Sequence, residues 1–226
     1  MDGREPLGIS YTPSYVGNQR DLAEFNRWYK EVHFVDVVKA KVLMNPIMFH
    51  NTLKPLPAGA DSLIIMYELY DQDPEEGTRR FQPFQPKLRN DYDQTKGIRS
   101  PNRGQYRVVK RLFGPQLKKR SNSMYVERLN LTDEKQATTA IRWYTEERLP
   151  ALMLAGLFHT GSFGTATRGA FRGAETPTSS RFLGLFESST VDAPSLLREV
   201  ASGFPLSKAP AYLTIAETLA ARRDSL

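Results

Sequence analysis

Apolar positions recur at two different periods along this chain, and the two periods alternate. A short stretch at about 8–14 alternates in the manner of a half-buried strand. It is followed at about 20–39 by Leu22, Phe25, Tyr29, Val32, Val35 and Val38, at three- and four-residue steps. Such steps place apolar side chains on one face of an amphipathic helix. Strand patterns return near 46–53 and at LIIMYELY, which contains Tyr67. A short helix is predicted from Asp73-Pro74-Glu75, since proline is well tolerated in a first helical turn. QYRVVKRLF (105–113) closes the series as a strand.

The same succession then runs again. A strand is predicted at about 123–130, a helix at 133–154 beginning near Asp133 and Glu134, and a strand at 157–165. RFLGLFES, a helix from Ala193-Pro194-Ser195 and a last strand at AYLTIAETL (211–219) follow. Four landmarks pair the copies. Tyr11 pairs with Tyr125, Arg27-Trp28-Tyr29 with Arg142-Trp143-Tyr144, Tyr67-Glu68 with Phe186-Glu187, and 105–113 with 211–219. The expected fold class is α+β: two ferredoxin-like β-α-β-β-α-β repeats, whose antiparallel sheets bury their open faces on each other as a barrel-like pair with helices outside. The expected boundaries are 1–113 and 123–226, with 114–122 as linker. The offset of the last pair places extra residues at about 83–105, a segment containing Phe84 and Tyr92 that reads as a lid, an arm onto a partner or a disordered loop.

Composition narrows the chemistry. Cysteine is absent, which excludes disulfides, thiolate nucleophiles, iron–sulfur clusters and Cys-ligated zinc. That is compatible with a cytoplasmic protein. The first residues contain no apolar h-region, and no apolar run approaches the ~20 residues that span a bilayer, so no membrane association is expected. The net charge of +6 is modest. The short basic clusters Lys118-Lys119-Arg120 and Arg222-Arg223 come without a nucleic-acid motif, so no nucleic-acid partner is expected. P-loop, dinucleotide, zinc-protease and nucleophile-elbow motifs are all missing.

With three histidines in the chain, few groups can move protons near neutrality. In RWYKEVHF, Tyr29 and His33 stand four apart on one helix face, with Asp36 three further on. This suits a general acid–base group, His33, with Asp36 orienting the ring and Tyr29 adding a hydroxyl. The alternative is a half-buried histidine bonded to a backbone carbonyl and a solvated Asp36. His50 shares a strand face with Met48 and Thr52, and lines a cavity or ends in solvent. His159, in the second copy, is a wall residue or merely packed. In RWYTEERL, Arg148 takes the place of His33. It cannot act as a base, but it can clamp a carboxylate or a phenolate; otherwise it pairs with Glu146 or Glu147. Tyr11, Tyr67 and Trp28 complete the candidate substrate wall or are core. No metal site is expected.

EFNRWYKEVHFVDVVKA resembles the helix signature of the dimeric α+β barrel superfamily, and within it the EthD-like pattern: a phenylalanine, two residues, Trp-Tyr, three residues, a histidine. Phe25, Trp28, Tyr29 and His33 occupy those places, and Arg148 breaks the pattern in the second copy. The resemblance implies a barrel with a small-molecule site between helix and sheet. It admits monooxygenases, cyclases, dehydratases and haem proteins, and fold does not choose among them. The expectation drawn is a lyase, dehydratase or cyclase acting without cofactor on a small aromatic or polyketide-like compound, with His33 moving the proton and Tyr29 and His50 positioning the substrate. A monooxygenase, cofactor-free or holding haem, is the alternative in chemistry. A non-catalytic ligand-binding or assembly protein, or a homo-oligomer of the two-repeat chain, also fits.

Overall fold

The computed structural model describes residues 1–15, 22–52, 62–88, 100, 103–115, 120–167 and 180–224. Lys118, Lys119 and Tyr92 lie outside the described residues, as do 116–119 of the expected linker and much of the 83–105 segment. Eight antiparallel strands form one closed barrel. They are β1 (Gly8–Ser14), β2 (Met44–Asn51), β3 (Leu63–Leu69), β4 (Gly104–Phe113), β5 (Ser123–Leu131), β6 (Thr160–Ala166), β7 (Phe182–Ser188) and β8 (Leu213–Arg223). Among the described residues four helices lie between them: α1 at 22–39, α2 (Pro74–Phe81), α3 at 137–154 and α4 (Ala193–Gly203). The element order β-α-β-β-α-β therefore runs twice. Asp73 and Asp192 cap α2 and α4, each accepting a bond from a first-turn N–H.

Around the barrel the order is β1-β3-β2-β8-β5-β7-β6-β4. Each half contributes a four-stranded sheet, and β8 on β2 and β4 on β6 join the halves. Strand alternation sends one set of side chains inward. Ile9, Tyr11, Phe49, Ile64, Met66, Tyr106, Met124, Val126, Leu183 and Leu185 fill the barrel. The other set faces the helices in two separate layers, one under α1 and α2, the other under α3 and α4. Residues near the chain start lie across one mouth of the barrel, where Arg223 Nη1 is 2.7 Å from Asp2 and Arg4 Nε is 2.8 Å from Glu68.

Two expectations need correction at this level. Ladder register sets Ile9 opposite Glu68 and Met124 opposite Glu187. The position matching Tyr125 is thus Ser10, not Tyr11. Tyr11 points into the barrel, whereas Tyr125 faces the helices. A slip of one residue exchanges faces. The last strands also align differently from the expected pairing: Ser10 pairs with Gln105 and Tyr125 with Ala220, so Gln105 matches Ala220. The 83–105 segment is accordingly less of an insertion than its expected length, and its described first part is a 3₁₀ turn, Gln82–Lys87.

Helix α1 differs from a plain amphipathic helix in one respect. It is α-helical at Leu22–Trp28, π-helical at Tyr29–His33 and α-helical again at Phe34–Lys39. α3 does the same at Ala137–Trp143, Tyr144–Arg148 and Leu149–Leu154. In each, the residue after the wide turn donates its N–H to the residue five before it, Phe34 to Tyr29 and Leu149 to Tyr144. The extra residue in that turn rotates everything beyond it. The buried face becomes Phe25, Tyr29, His33, Phe34 and Val37, and Val35, expected inside, is exposed. The wide turn is therefore what carries His33 and Arg148 into the protein.

Candidate functional site

Corresponding positions of the two halves carry different groups. In the second half, Glu127 of β5 faces α3 and is fully buried. It accepts from the Tyr144 hydroxyl at 2.6 Å, the Tyr125 hydroxyl at 3.0 Å and Arg148 Nε at 3.3 Å. Arg148 Nη2 also donates to Glu127, and Nη1 donates to the Phe204 carbonyl at 2.7 Å. Burial works to lower the Arg148 pKa, but the bond and charge of Glu127 outweigh it and hold the guanidinium above its usual range. Burial, reinforced by the adjacent carboxylate, pushes the Tyr144 and Tyr125 hydroxyls upward, so both remain protonated donors. The Tyr144 ring stacks on Phe163 at 4.2 Å and lies over Gly184, where any Cβ would run into its hydroxyl. The result is a dry, satisfied knot of side chains.

Arg148 therefore has its carboxylate within the chain, and the partner is Glu127 rather than neighbouring Glu146 or Glu147. The expectation that Arg148 clamps a substrate is corrected accordingly. Glu127 is absent from the expected site. Its signal is a lone acid in a strand otherwise apolar on that face, MYVERL, opposite a helix with one inward arginine.

The first half places other side chains at those positions. His33 stands for Arg148, Thr12 for Glu127, Ser10 for Tyr125, Tyr67 for Phe186 and Gln105 for Ala220. His33 is buried, with its ring 4.4 Å from that of Tyr29 and 5.4 Å from that of Trp28. Its Nδ1 has no hydrogen-bond partner. Burial pulls its pKa down to about 4, and the charge of Asp36 opposes this only in part. The imidazole is thus neutral, with an accepting nitrogen, across the physiological range. On the facing sheet, the Ser10 hydroxyl and both polar atoms of the Gln105 amide are buried without partners. A buried polar group left without a partner costs about 1–3 kcal/mol, so four such atoms in one layer are a cost to the fold. Ser10 and Gln105 are not among the expected site residues. Their placement depends on register across β1 and β4, which no local pattern reveals.

The remaining candidates are dispersed. Asp36 pairs with Lys39 at 3.0 Å and acts on His33 as a charge, not as the hydrogen-bonded orienter expected. His50 faces the helix side at the β2–β8 seam, where its Nε2 is 3.3 Å from Asp224 and 3.5 Å from Asn26. Lys30 holds the other oxygen of Asp224 at 2.5 Å. His50 serves a seam between halves rather than standing beside His33. Trp28, Tyr29 and Tyr67 lie in the first-half layer, and Tyr11 lies in the barrel. His159 precedes β6 instead of lying within it. It is bonded to Thr160 at 3.0 Å and borders a separate groove of about 310 Å³ with Ser188, Asp192 and Glu199. No metal-ligand cluster occurs among the described residues.

No family model and no curated protein sequence matches the chain. Solved structures do match. An anthrone oxidase-like protein superposes with a TM-score of 0.58 at 10% identity, over 98% of this chain and 93% of its own. A protein named as a monooxygenase from Fusobacterium nucleatum gives 0.54 at 10% identity, over the same shares. The fold is the dimeric α+β barrel. A heme-binding protein from Thermus thermophilus matches at a TM-score of 0.48 and 10% identity, over 98% and 92%.

These matches correct two expectations. The names of the anthrone oxidase-like protein and the Fusobacterium monooxygenase favour the oxidative alternative over the lyase, dehydratase or cyclase reading. The expectation of no cofactor is not retained either. The side chains themselves argue against a haem. In the second half the Arg148–Glu127 knot occupies the layer under α3, and the one imidazole, His159, is bonded to Thr160 away from it. In the first, rings of Trp28 and Tyr29 pack against His33. The described residues do not fit a haem in either layer. No helix among them is long and apolar enough to cross a membrane.

Proposed function

We propose that this protein is an oxygenase of small, apolar aromatic compounds and that its site is the first-half layer beneath α1. The observation that carries this is the neutral, buried His33, whose Nδ1 has no partner at the same wide turn where Arg148 is locked to Glu127. A neutral imidazole keeps one N–H and offers the lone pair of its other ring nitrogen to an incoming proton. It suits removal of the proton from a carbon made acidic by a neighbouring carbonyl and flanking rings. The electron pair left on that carbon makes the compound readily oxidised by dioxygen. Conversion of such a methylene to a carbonyl releases water as the second product, and the substrate supplies the electrons. The names of the anthrone oxidase-like and monooxygenase neighbours support this class of reaction.

On this reading Tyr29 and Trp28 form the aromatic wall, and the second half is a scaffold. The repeated element order and the paired wide turns support an origin by duplication of a ferredoxin-like unit, and the EthD-like pattern at Phe25, Trp28, Tyr29 and His33 fits its catalytic copy. The test is oxygen uptake by the purified chain with anthrone and related aryl ketones. His33→Gln is expected to lower turnover by about 10²–10⁴-fold, the usual contribution of a general base, with the fold retained. Undiminished uptake by His33→Gln overturns the role of His33. No uptake by the wild type with any such ketone overturns the reaction class.

A further inference from the structure

We infer that Ser10 and Gln105 form a polar floor, beneath His33, for a planar aromatic ligand bearing a carbonyl and an adjacent hydroxyl. This deepens the oxygenase reading and rests on it for the identity of the site. Its own evidence is the pair of strands β1 and β4. Ser10 and Gln105 are directly opposed across that antiparallel ladder, and both side chains face the helices. They are 0% and 1% exposed, and Ser10 Oγ, Gln105 Nε2 and Gln105 Oε1 have no partners. Tyr67 is the next residue across the sheet, opposite Ser10 on β3.

The second half shows that the fold does not need this polarity. Its matching row is Ala220, Tyr125 and Phe186, and the one hydroxyl in that row is taken by Glu127. Replacing a tyrosine by Ser10, a glutamate by Thr12 and an arginine by His33 also leaves the first half with smaller groups over β1. Ile65 stands where Gly184 makes way for Tyr144, so the smaller side chains of the first half are on β1 and not on β3.

The chemistry of these atoms selects the ligand. Gln105 Nε2 donates to a carbonyl oxygen, Gln105 Oε1 accepts from a hydroxyl, and Ser10 does either. Among the described residues no guanidinium replaces Arg148 on this side, so a neutral ketone suits the floor better than a carboxylate. A flat ring system lies between the sheet and the rings of Tyr29 and Trp28. A hydroxyl beside the carbonyl meets both ends of one amide, which is how such a site rejects an analogue that lacks them.

The probe is 1,8-dihydroxyanthraquinone, which is already oxidised, with anthracene as the ring system lacking oxygen. Fluorescence titration of the full chain measures both. The wild type is expected to bind the hydroxyquinone at least about tenfold more tightly than anthracene. Gln105→Leu and Ser10→Ala are each expected to weaken the hydroxyquinone about tenfold and to leave anthracene within about twofold. Thermal stability should hold or rise, because unsatisfied atoms are removed. The inference is overturned if wild type binds neither probe, binds them equally, or if both variants bind the hydroxyquinone normally. It is also overturned if Gln105→Leu and Ser10→Ala lower the melting temperature, which would make the pair structural. Probe binding that depends on Gln105, without oxygen uptake on anthrone, would remove the oxygenase reading alone. Oxygen uptake with probe binding indifferent to both variants would remove the floor alone.

Discussion

Arg148 and Glu127 form a buried ion pair at the positions that His33 and Thr12 hold in the other half of the barrel. One side is fully compensated, and the other keeps an open nitrogen. Removing one member of a buried pair strands the other charge. Glu127→Ala should therefore cost about 3–5 kcal/mol in urea unfolding. The double variant Glu127→Thr with Arg148→His, which copies the first half, should cost less than the sum of its single changes, because both remove the same interaction.

The pH dependence of stability reports on His33. Its pKa is about 4 in the folded protein against an ordinary 6.5. The unfolded chain therefore binds a proton that the folded one refuses as pH falls below 6.5. Stability should decline from there to about pH 4, below which both states are protonated and the loss is complete. At 1.36 kcal/mol per pKa unit, the decline is about 3 kcal/mol. His33→Leu should remove this slope while leaving other acid transitions in place, as read from urea midpoints at successive pH values.

Gly184 is required by contact, not by backbone angle. A methyl group there meets the Tyr144 hydroxyl and ring. Gly184→Ala should push Tyr144 off Glu127 and cost about 1–3 kcal/mol as overpacking. The reciprocal site differs: Ile65→Gly in the first half opens space instead. Thermal denaturation of the two variants should show a loss in both, and the near-ultraviolet tyrosine signal should change most in Gly184→Ala.

The His50–Asp224–Lys30 cluster ties α1 and β2 to the end of β8. Its side chains are 19–27% exposed. Asp224→Asn should cost less than about 1 kcal/mol, and less still at high salt, as expected for a partly solvated pair. His50→Ala should leave oxygen uptake within about twofold if proton transfer depends on His33 and not on this seam.

Much of the architecture is legible because it is periodic. The alternation at 8–14, the helical steps from Leu22 and the prolines at Pro74 and Pro194 are local signals, and each element lies within a few residues of its expected place. The Trp-Tyr frame also marks correctly the two segments that dock on the sheets. The face of each helix is less legible. Val35 reads as a core position on a uniform helix, and the wide turn moves it outward and His33 inward. A π turn depends on packing around it and leaves no periodic trace of its own.

Register across the barrel is hidden for a different reason. Tyr11 and Tyr125 look equivalent, but one residue of slip puts one in the barrel and the other under a helix. Gln105 looks like any polar residue at the start of a strand, and Glu127 like any surface acid. Each acquires its meaning from a neighbour far away in the chain: Ser10 for Gln105, Arg148 and Tyr144 for Glu127. The residues alone thus suffice for two similar halves with one histidine set against one arginine, because spacing and side-chain type are local properties. That Arg148 ends in a closed ion pair while His33 keeps an open nitrogen is settled by tertiary packing, because burial and partnership belong to pairs of residues and not to positions in a string.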